Sequence, residues 1–232
     1  PEARGNSRGL LGISAVKSGE KMEINFQDIS PRERYKLLSS TIIPRPIALV
    51  SSRGLDGVDN AAPYSFFNVF SEDPPIVILG LQNKDDGSPK DTTRNILETS
   101  EFVVNLIDRK MAEAMNNCAV DFPPEVSEFD ITGLNRAPCN LIGANRIAES
   151  PVALECRQTF TIKLNKNRDI CLGEVLYMHI RDDIIDAKTK RIKIENYEIV
   201  ARLFADYYAG ITGPYALERI DMPDWYNEWT WS

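Results

Sequence analysis

The chain has 232 residues, enough for one large domain or two small ones, with 43% hydrophobic and 26% charged residues. Its net charge of −7 argues against a general nucleic-acid or anionic-membrane surface, which needs a basic face. No apolar run is long enough to span a bilayer. The single histidine and the four cysteines, with no CxxC pair among them, disfavour a Cys/His zinc site.

Reduced thiols at Cys118, Cys139, Cys156 and Cys171, in a cytoplasmic protein without a bound metal, are the simpler expectation. Residues 1–21 are rich in Gly, Ser and Arg and are set aside as a flexible leader or tag remnant. Residues 22–210 read as the folded domain and residues 211–232 as an aromatic tail carrying Trp225, Trp229 and Trp231.

Ser30 is a cap candidate, and Pro31 suits the first position of a helix. Residues 46–52 are a short apolar strand. Asp56-Gly57 is a hairpin signal, and residues 62–71 are the aromatic partner strand. Pro74-Pro75 breaks that strand. Residues 76–81, IVILGL, are nearly continuous in apolar character and predict a central strand buried on both faces. After a polar loop, Asp91 or Thr92 caps a helix running to Glu98, and residues 101–107 form a further strand. Asp108 caps a helix that places Met111, Met115 and Cys118 on one face. Residues 121–140 read as a long loop, a lid over a barrel mouth. Residues 151–164 and 170–185 are long strands around a turn at 165–169, and residues 197–204 are expected to form a short helix. Many strands with hairpin signals and few helices predict a mainly β, antiparallel barrel rather than a doubly wound α/β sheet. No GxGxxG follows a strand, so a Rossmann nucleotide site is not supported.

Three segments carry chemistry. In Pro44-Arg45-Pro46 each proline fixes its φ and lacks an N–H. The rigid segment leaves backbone groups of Arg45, Ile47 and Ala48 partly free for a planar ring, or it is simply a protected edge strand. In the stretch 60–68, NAAPYSFFN, small Ala61 and Ala62 admit a flat ring or a phosphate tail while Ser65 and Asn68 offer polar groups. An aromatic core strand is the alternative. In KDTTRNI, residues 90–96, a helix start presents unpaired N–H groups to an anion, and Lys90 and Thr92 add charge and a hydroxyl. An ordinary helix with a solvated face is the alternative. Lys84, Lys90 and Arg94 are the basic groups available for a phosphate, and Asp91 is expected to cap or to pair with Arg94.

In order, the words SPRERYKLL, PRPIALVSS, NAAPYSFFN, KDTTRNI, EFVVNLI, DFPPEVSEF and ESPVALEC resemble the flavin reductase-like family. The likeness is to its long-form branch of flavoredoxin and nitrilotriacetate monooxygenase component B-like proteins. The resemblance implies an FMN-binding split β-barrel, a homodimer with FMN at its interface, and redox chemistry with NAD(P)H as a possible donor. It implies a flavin-dependent monooxygenase or another electron acceptor as partner. The implied cofactor residues are Arg45, Pro46, Ile47 and Ala48 along the ring and ribityl chain, and Ala62, Pro63, Tyr64, Ser65 and Asn68 on the aromatic strand. Lys90, Asp91, Thr92 and Asn95 belong to the helix segment, with Ser65, Lys90 and Thr92 serving the phosphate.

The chain departs from the family at residues 202–208, RLFADYY. There the Gly-Asp-His stretch of nicotinamide-using flavin reductases is missing, which argues for weak NAD(P)H use. An alternative is an electron carrier without its own turnover, or a barrel that has lost its cofactor. His179 reads as structural or superficial, Glu125 and Glu128 as solvated charges, and no catalytic acid–base pair stands out.

Overall fold

The computed structural model describes residues 21–219. All of the leader but Lys21, and the tail beyond residue 219 with its three tryptophans, lie outside the described residues. The chain divides into two compact units at residue 41. In the first, α1 (Pro31–Thr41) begins as its sequence predicts. The Ser30 amide donates to Glu33 Oε2 at 2.8 Å, and the Glu33 amide donates back to Ser30 Oγ at 3.3 Å. This reciprocal pair satisfies two of the helix's orphan donors.

The second unit contains β1 (Ala48–Arg53), β2 (Asp59–Tyr64), β3 (Phe67–Glu72), β4 (Pro75–Gln82), α2 (Asp91–Thr99) and β5 (Glu101–Leu106). It continues with α3 (Ala112–Asn117), α4 (Glu128–Thr132), β6 (Arg136–Ala137), β7 (Arg146–Ile147), β8 (Val152–Asn165), β9 (Arg168–Ile180), β10 (Val200–Arg202) and β11 (Tyr208–Gly210). Seven strands form one antiparallel sheet in the order β2-β1-β5-β8-β9-β4-β3, and β6-β7 and β10-β11 are small separate pairs.

The order forces the shape. β2 and β3 are consecutive in the chain, joined only by Ser65 and Phe66, yet they occupy opposite edges of the sheet. From Tyr64 to Phe67 the chain spans at most about 11 Å. In a flat sheet the two edges would lie about 29 Å apart. The sheet must therefore curl until its edges approach, giving a barrel with a seam between β2 and β3. Gly80 on β4 permits the joint: its amide donates to the Phe66 carbonyl at 2.7 Å, and a Cβ there would lie 2.9 Å from Phe66 Cβ.

From Ala48 to Ser52, β1 is buried on both faces. Ala48 and Val50 point into the cluster with Val77, Leu79, Phe102, Val104 and Leu154. Ile47 and Leu49 point the other way, onto Met111, Met115, Phe129 and Ile147. Each such Val, Leu, Ile, Met or Phe side chain contributes about 1.5–3 kcal/mol when fully buried.

Several sequence expectations are corrected. Residues 62–71 are not one strand but the end of β2 and most of β3, because the two halves pair with different neighbours. β4 buries Val77, Leu79 and Leu81 fully but only half-buries Ile76 and Ile78, because alternate side chains lie on opposite faces and only one face joins the core cluster. Residues 121–140 hold α4 and β6 rather than an unbroken loop. β9 stops at Ile180, and the turn before it is the two residues Lys166-Asn167. Residues 197–204 are not helical: Val200–Arg202 is β10, favoured by β-branched Ile199 and Val200 and held by β11. Asp108 caps as expected, accepting from Lys110 and Met111 amides, and Met111, Met115 and Cys118 are buried together. Among the described residues no helix is long and apolar enough to cross a membrane.

Candidate functional site

The site is built around the start of α2. Pro89 and an extended Lys90 (φ −70°, ψ 163°) lead into the helix, and Lys90 makes no side-chain cap. An ammonium has no acceptor to offer, so the first amides of α2 have no partner from the capping residue. They add to the positive end of the helix dipole. The Asp91 carboxylate, which opposes an anion here, is turned to Arg94 Nη1 at 2.8 Å.

Thr92 is buried beneath this point. Its hydroxyl accepts from Asn60 Nδ2 at 2.7 Å. Burial pushes Tyr64 up to about 12, against the opposing Thr92 hydrogen bond, so Tyr64 stays neutral and acts as a wall and a dipole. Burial likewise pushes the Cys118 thiol up to about 11, which rules it out as an ionised nucleophile at neutral pH.

These residues open onto a cleft of about 460 Å³, whose lining includes Ala62, Pro63, Gln82, Lys84, Phe122 and Glu128. Its size falls within the roughly 300–1,000 Å³ of small-molecule sites. Lys90 Nζ lies 2.7 Å from Asp121 Oδ1, a carboxylate that is 80% exposed. Glu128 Oε2 accepts from the Ala61 amide at 2.9 Å. Burial raises the Glu128 carboxyl above its usual range, against that hydrogen bond and with help from the Asp91 charge.

Of the residues singled out in the sequence, Ala62, Pro63, Tyr64, Lys84, Lys90, Asp91 and Thr92 line the cleft together. The others do not. Arg45 is buried, and its N–H and C=O both pair with Arg202 at 2.9 Å, so the expectation of free backbone at Arg45 is corrected. Its guanidinium donates to the Ile42 carbonyl at 3.2 Å and to Ser65 Oγ at 3.4 Å. Pro46 is exposed beside it, Ile47 is buried, and Ala48 is paired in β1 with Tyr64 and Leu106. Asn68 is exposed on β3. Asn95 is buried under β1 and donates to Ser52 Oγ at 3.2 Å. Asn60, Gln82, residues 118–122 and Glu128 were not nominated. Asn60 opens a segment already singled out, whereas Glu128 reaches the cleft only through the packing of α4 on β2.

The flavin reductase like domain family matches residues 39–193. The chain belongs to the flavin reductase-like family. The solved 2-nitrobenzoate 2-nitroreductase NbaA of Pseudomonas fluorescens is 33% identical with a TM-score of 0.80, covering 87% of this chain and 98% of that one. Nitrilotriacetate monooxygenase component B of Bacillus cereus is 32% identical with a TM-score of 0.82, covering 86% and 100%. A split-barrel chain from Shewanella frigidimarina, 18% identical with a TM-score of 0.75 over 86% and 100%, shows the fold alone. In this flavin reductase-like chain the cleft has the features that suit a phosphorylated ligand, an uncapped helix start with two lysines.

The raised Glu128 carboxyl has a consequence for stability. A carboxyl raised by folding binds its proton more tightly in the native state, so its contribution is full below 4.5 and is lost as pH rises through the folded value. Glu128→Gln keeps an acceptor for Ala61 but cannot ionise. We expect its unfolding free energy, measured by urea titration, to fall less than the parent's between pH 4.5 and neutrality. Parallel curves would contradict this.

Proposed function

We propose that the protein is an FMN-dependent oxidoreductase that takes the FMN phosphate at the start of α2 and passes a hydride or electrons to an acceptor. The uncapped N-terminus of α2, opening into the cleft beside Lys84 and Lys90, carries this reading. The α2 amides and Lys90 bind the phosphate, with Lys90 released from Asp121. Thr92 holds the Asn60 side chain beside the wall against which the ligand lies. Pro63 and Ala62 leave a low floor for a flat ring. FMN, when bound, supplies the hydride and electron chemistry. The chain's residues hold it, orient it and keep water away.

The acceptor we favour is a partner monooxygenase, supported by the likeness to nitrilotriacetate monooxygenase component B. The working assembly we favour is a homodimer. Val69 and Phe70 on edge strand β3, and Phe160, Ile162 and Leu164 on the outer half of β8, are exposed apolar side chains that a second copy would cover. Light scattering should give twice the chain mass at micromolar concentration, and a monomer with FMN bound would contradict it. Four free cysteines suit a cytoplasmic setting.

Lys90→Ala tests the phosphate placement. A charge-assisted hydrogen bond contributes about 1.5–3 kcal/mol, so FMN should bind roughly ten- to a hundredfold more weakly. Riboflavin, without the phosphate, should bind parent and variant equally. An equal loss for both ligands would place Lys90 in support of the fold or the ring instead.

A second reading is an electron carrier without its own NAD(P)H turnover. Residues 203–207 form the turn of the β10–β11 hairpin, with Leu203 bonded to the Tyr207 carbonyl and Phe204 against Tyr207. They supply no histidine. Under anaerobic conditions we expect NAD(P)H to bleach bound flavin slowly or not at all. Rapid stoichiometric bleaching would exclude the carrier and make this a reductase in its own right.

A further inference from the structure

A second cluster lies away from the cleft. Cys139 follows β6, Glu155 is on β8 and His179 is on β9, and none of the three lines the cleft. The β8–β9 register sets His179 opposite Ala153, which places Glu155 diagonally across on the same face. One ligating atom from each of Cys139, Glu155 and His179 lies within 4.8 Å of the others. Glu155 is fully buried. Its Oε1 accepts from the Asn140 amide and lies 2.7 Å from His179 Nε2, and its Oε2 accepts from the Leu141 amide at 2.7 Å. The two amides immediately following Cys139 are thus fixed, so the thiol is held close to the carboxylate. The His179 ring is further confined by Tyr177, 5.0 Å away between centroids.

We infer that Cys139, Glu155 and His179 form a three-ligand site for a divalent zinc-like ion. One sulfur, one imidazole nitrogen and one carboxylate oxygen suit zinc. A calcium or magnesium site needs more oxygens. Cys139 and the His179 side chain are both partly exposed, which gives an entry path and room for a water as fourth ligand. Binding releases one proton, that of the thiol, to solvent, while the neutral imidazole carries its ring proton on Nδ1 and leaves Nε2 free to ligate. Ligand atoms at about 2.0 Å from a tetrahedral ion stand about 3.3 Å apart. The His179–Glu155 contact therefore opens by roughly half an ångström on loading, while Oε2 keeps the Leu141 amide. The ion would tie the segment after β6 to the β8–β9 hairpin. The inference is independent of the proposed FMN chemistry.

The test uses the full chain, stripped with a chelator and titrated with zinc chloride in a calorimeter at neutral pH. We expect one zinc per chain and a higher unfolding temperature when loaded. Cys139→Ala and His179→Ala should each bind at least about a hundredfold more weakly and lose the thermal shift. Zinc-edge X-ray absorption of the loaded parent should show one sulfur with nitrogen or oxygen neighbours, a readout that does not depend on either variant folding. No stoichiometric binding, unchanged affinity in Cys139→Ala, or a shell with no sulfur or several would overturn the site.

Discussion

Ser65 and Phe66 are all that separates a strand on one edge of the seven-stranded sheet from a strand on the other. That short connection dictates the curl, and the curl encloses β1 on both faces. The joint is held at three points. Arg45 Nε donates to Ser65 Oγ, the Phe66 carbonyl accepts from Gly80, and the Arg168 guanidinium lies 5.6 Å from the Phe66 ring. Tyr64, the residue before the joint, is also the wall of the cleft. Closure of the barrel and placement of the site are therefore set by one stretch of chain.

A buried polar network carries the same constraint outward. Asn105 Nδ2 donates to the Leu49 carbonyl and Ser51 Oγ, each at 2.9 Å, and its Oδ1 accepts from the Ile147 amide. Ser51 donates to the Asn145 carbonyl at 2.7 Å, and Asn145 donates to Asp59, which also pairs with Arg136 at 2.7 Å. Each such bond is worth only about 0.5–1.5 kcal/mol net, but leaving a buried member unpaired costs about 1–3 kcal/mol. The network fixes the segment around β6 and β7 to the sheet. Arg136 also reaches Asp130 on α4, which helps position Glu128 over the cleft.

Local chemistry was legible in the sequence. The Ser30–Glu33 box, the Asp56-Gly57 turn, the Asp108 cap and the Asp91–Arg94 pair all depend on residues within a few positions of each other. Long-range pairing was not legible. Nothing near Arg45 shows that its backbone is taken by Arg202, and an aromatic run at 62–71 does not reveal that its halves go to opposite edges. The helix expected at 197–204 failed because β-branched residues there found strand partners. In the site, the small residue Ala62 and the helix start at Lys90 were readable as types suited to a flat, phosphorylated ligand, whereas Ala61, read the same way, is fully buried and off the cleft. Glu128 and residues 118–122 enter only through packing. The Cys139, Glu155 and His179 group is not legible as a motif because its members come from three separate segments and three residue types.

The central claim is that the phosphate of the bound flavin sits at the start of α2. Amide chemical shifts of the isotope-labelled chain, compared between saturating FMN and saturating riboflavin, test it most directly. The two ligands differ only in the phosphate, so shared ring effects cancel. The account predicts that the largest differences fall on the amides of Thr92 and Thr93. Largest differences elsewhere, with those two amides unchanged, would contradict it.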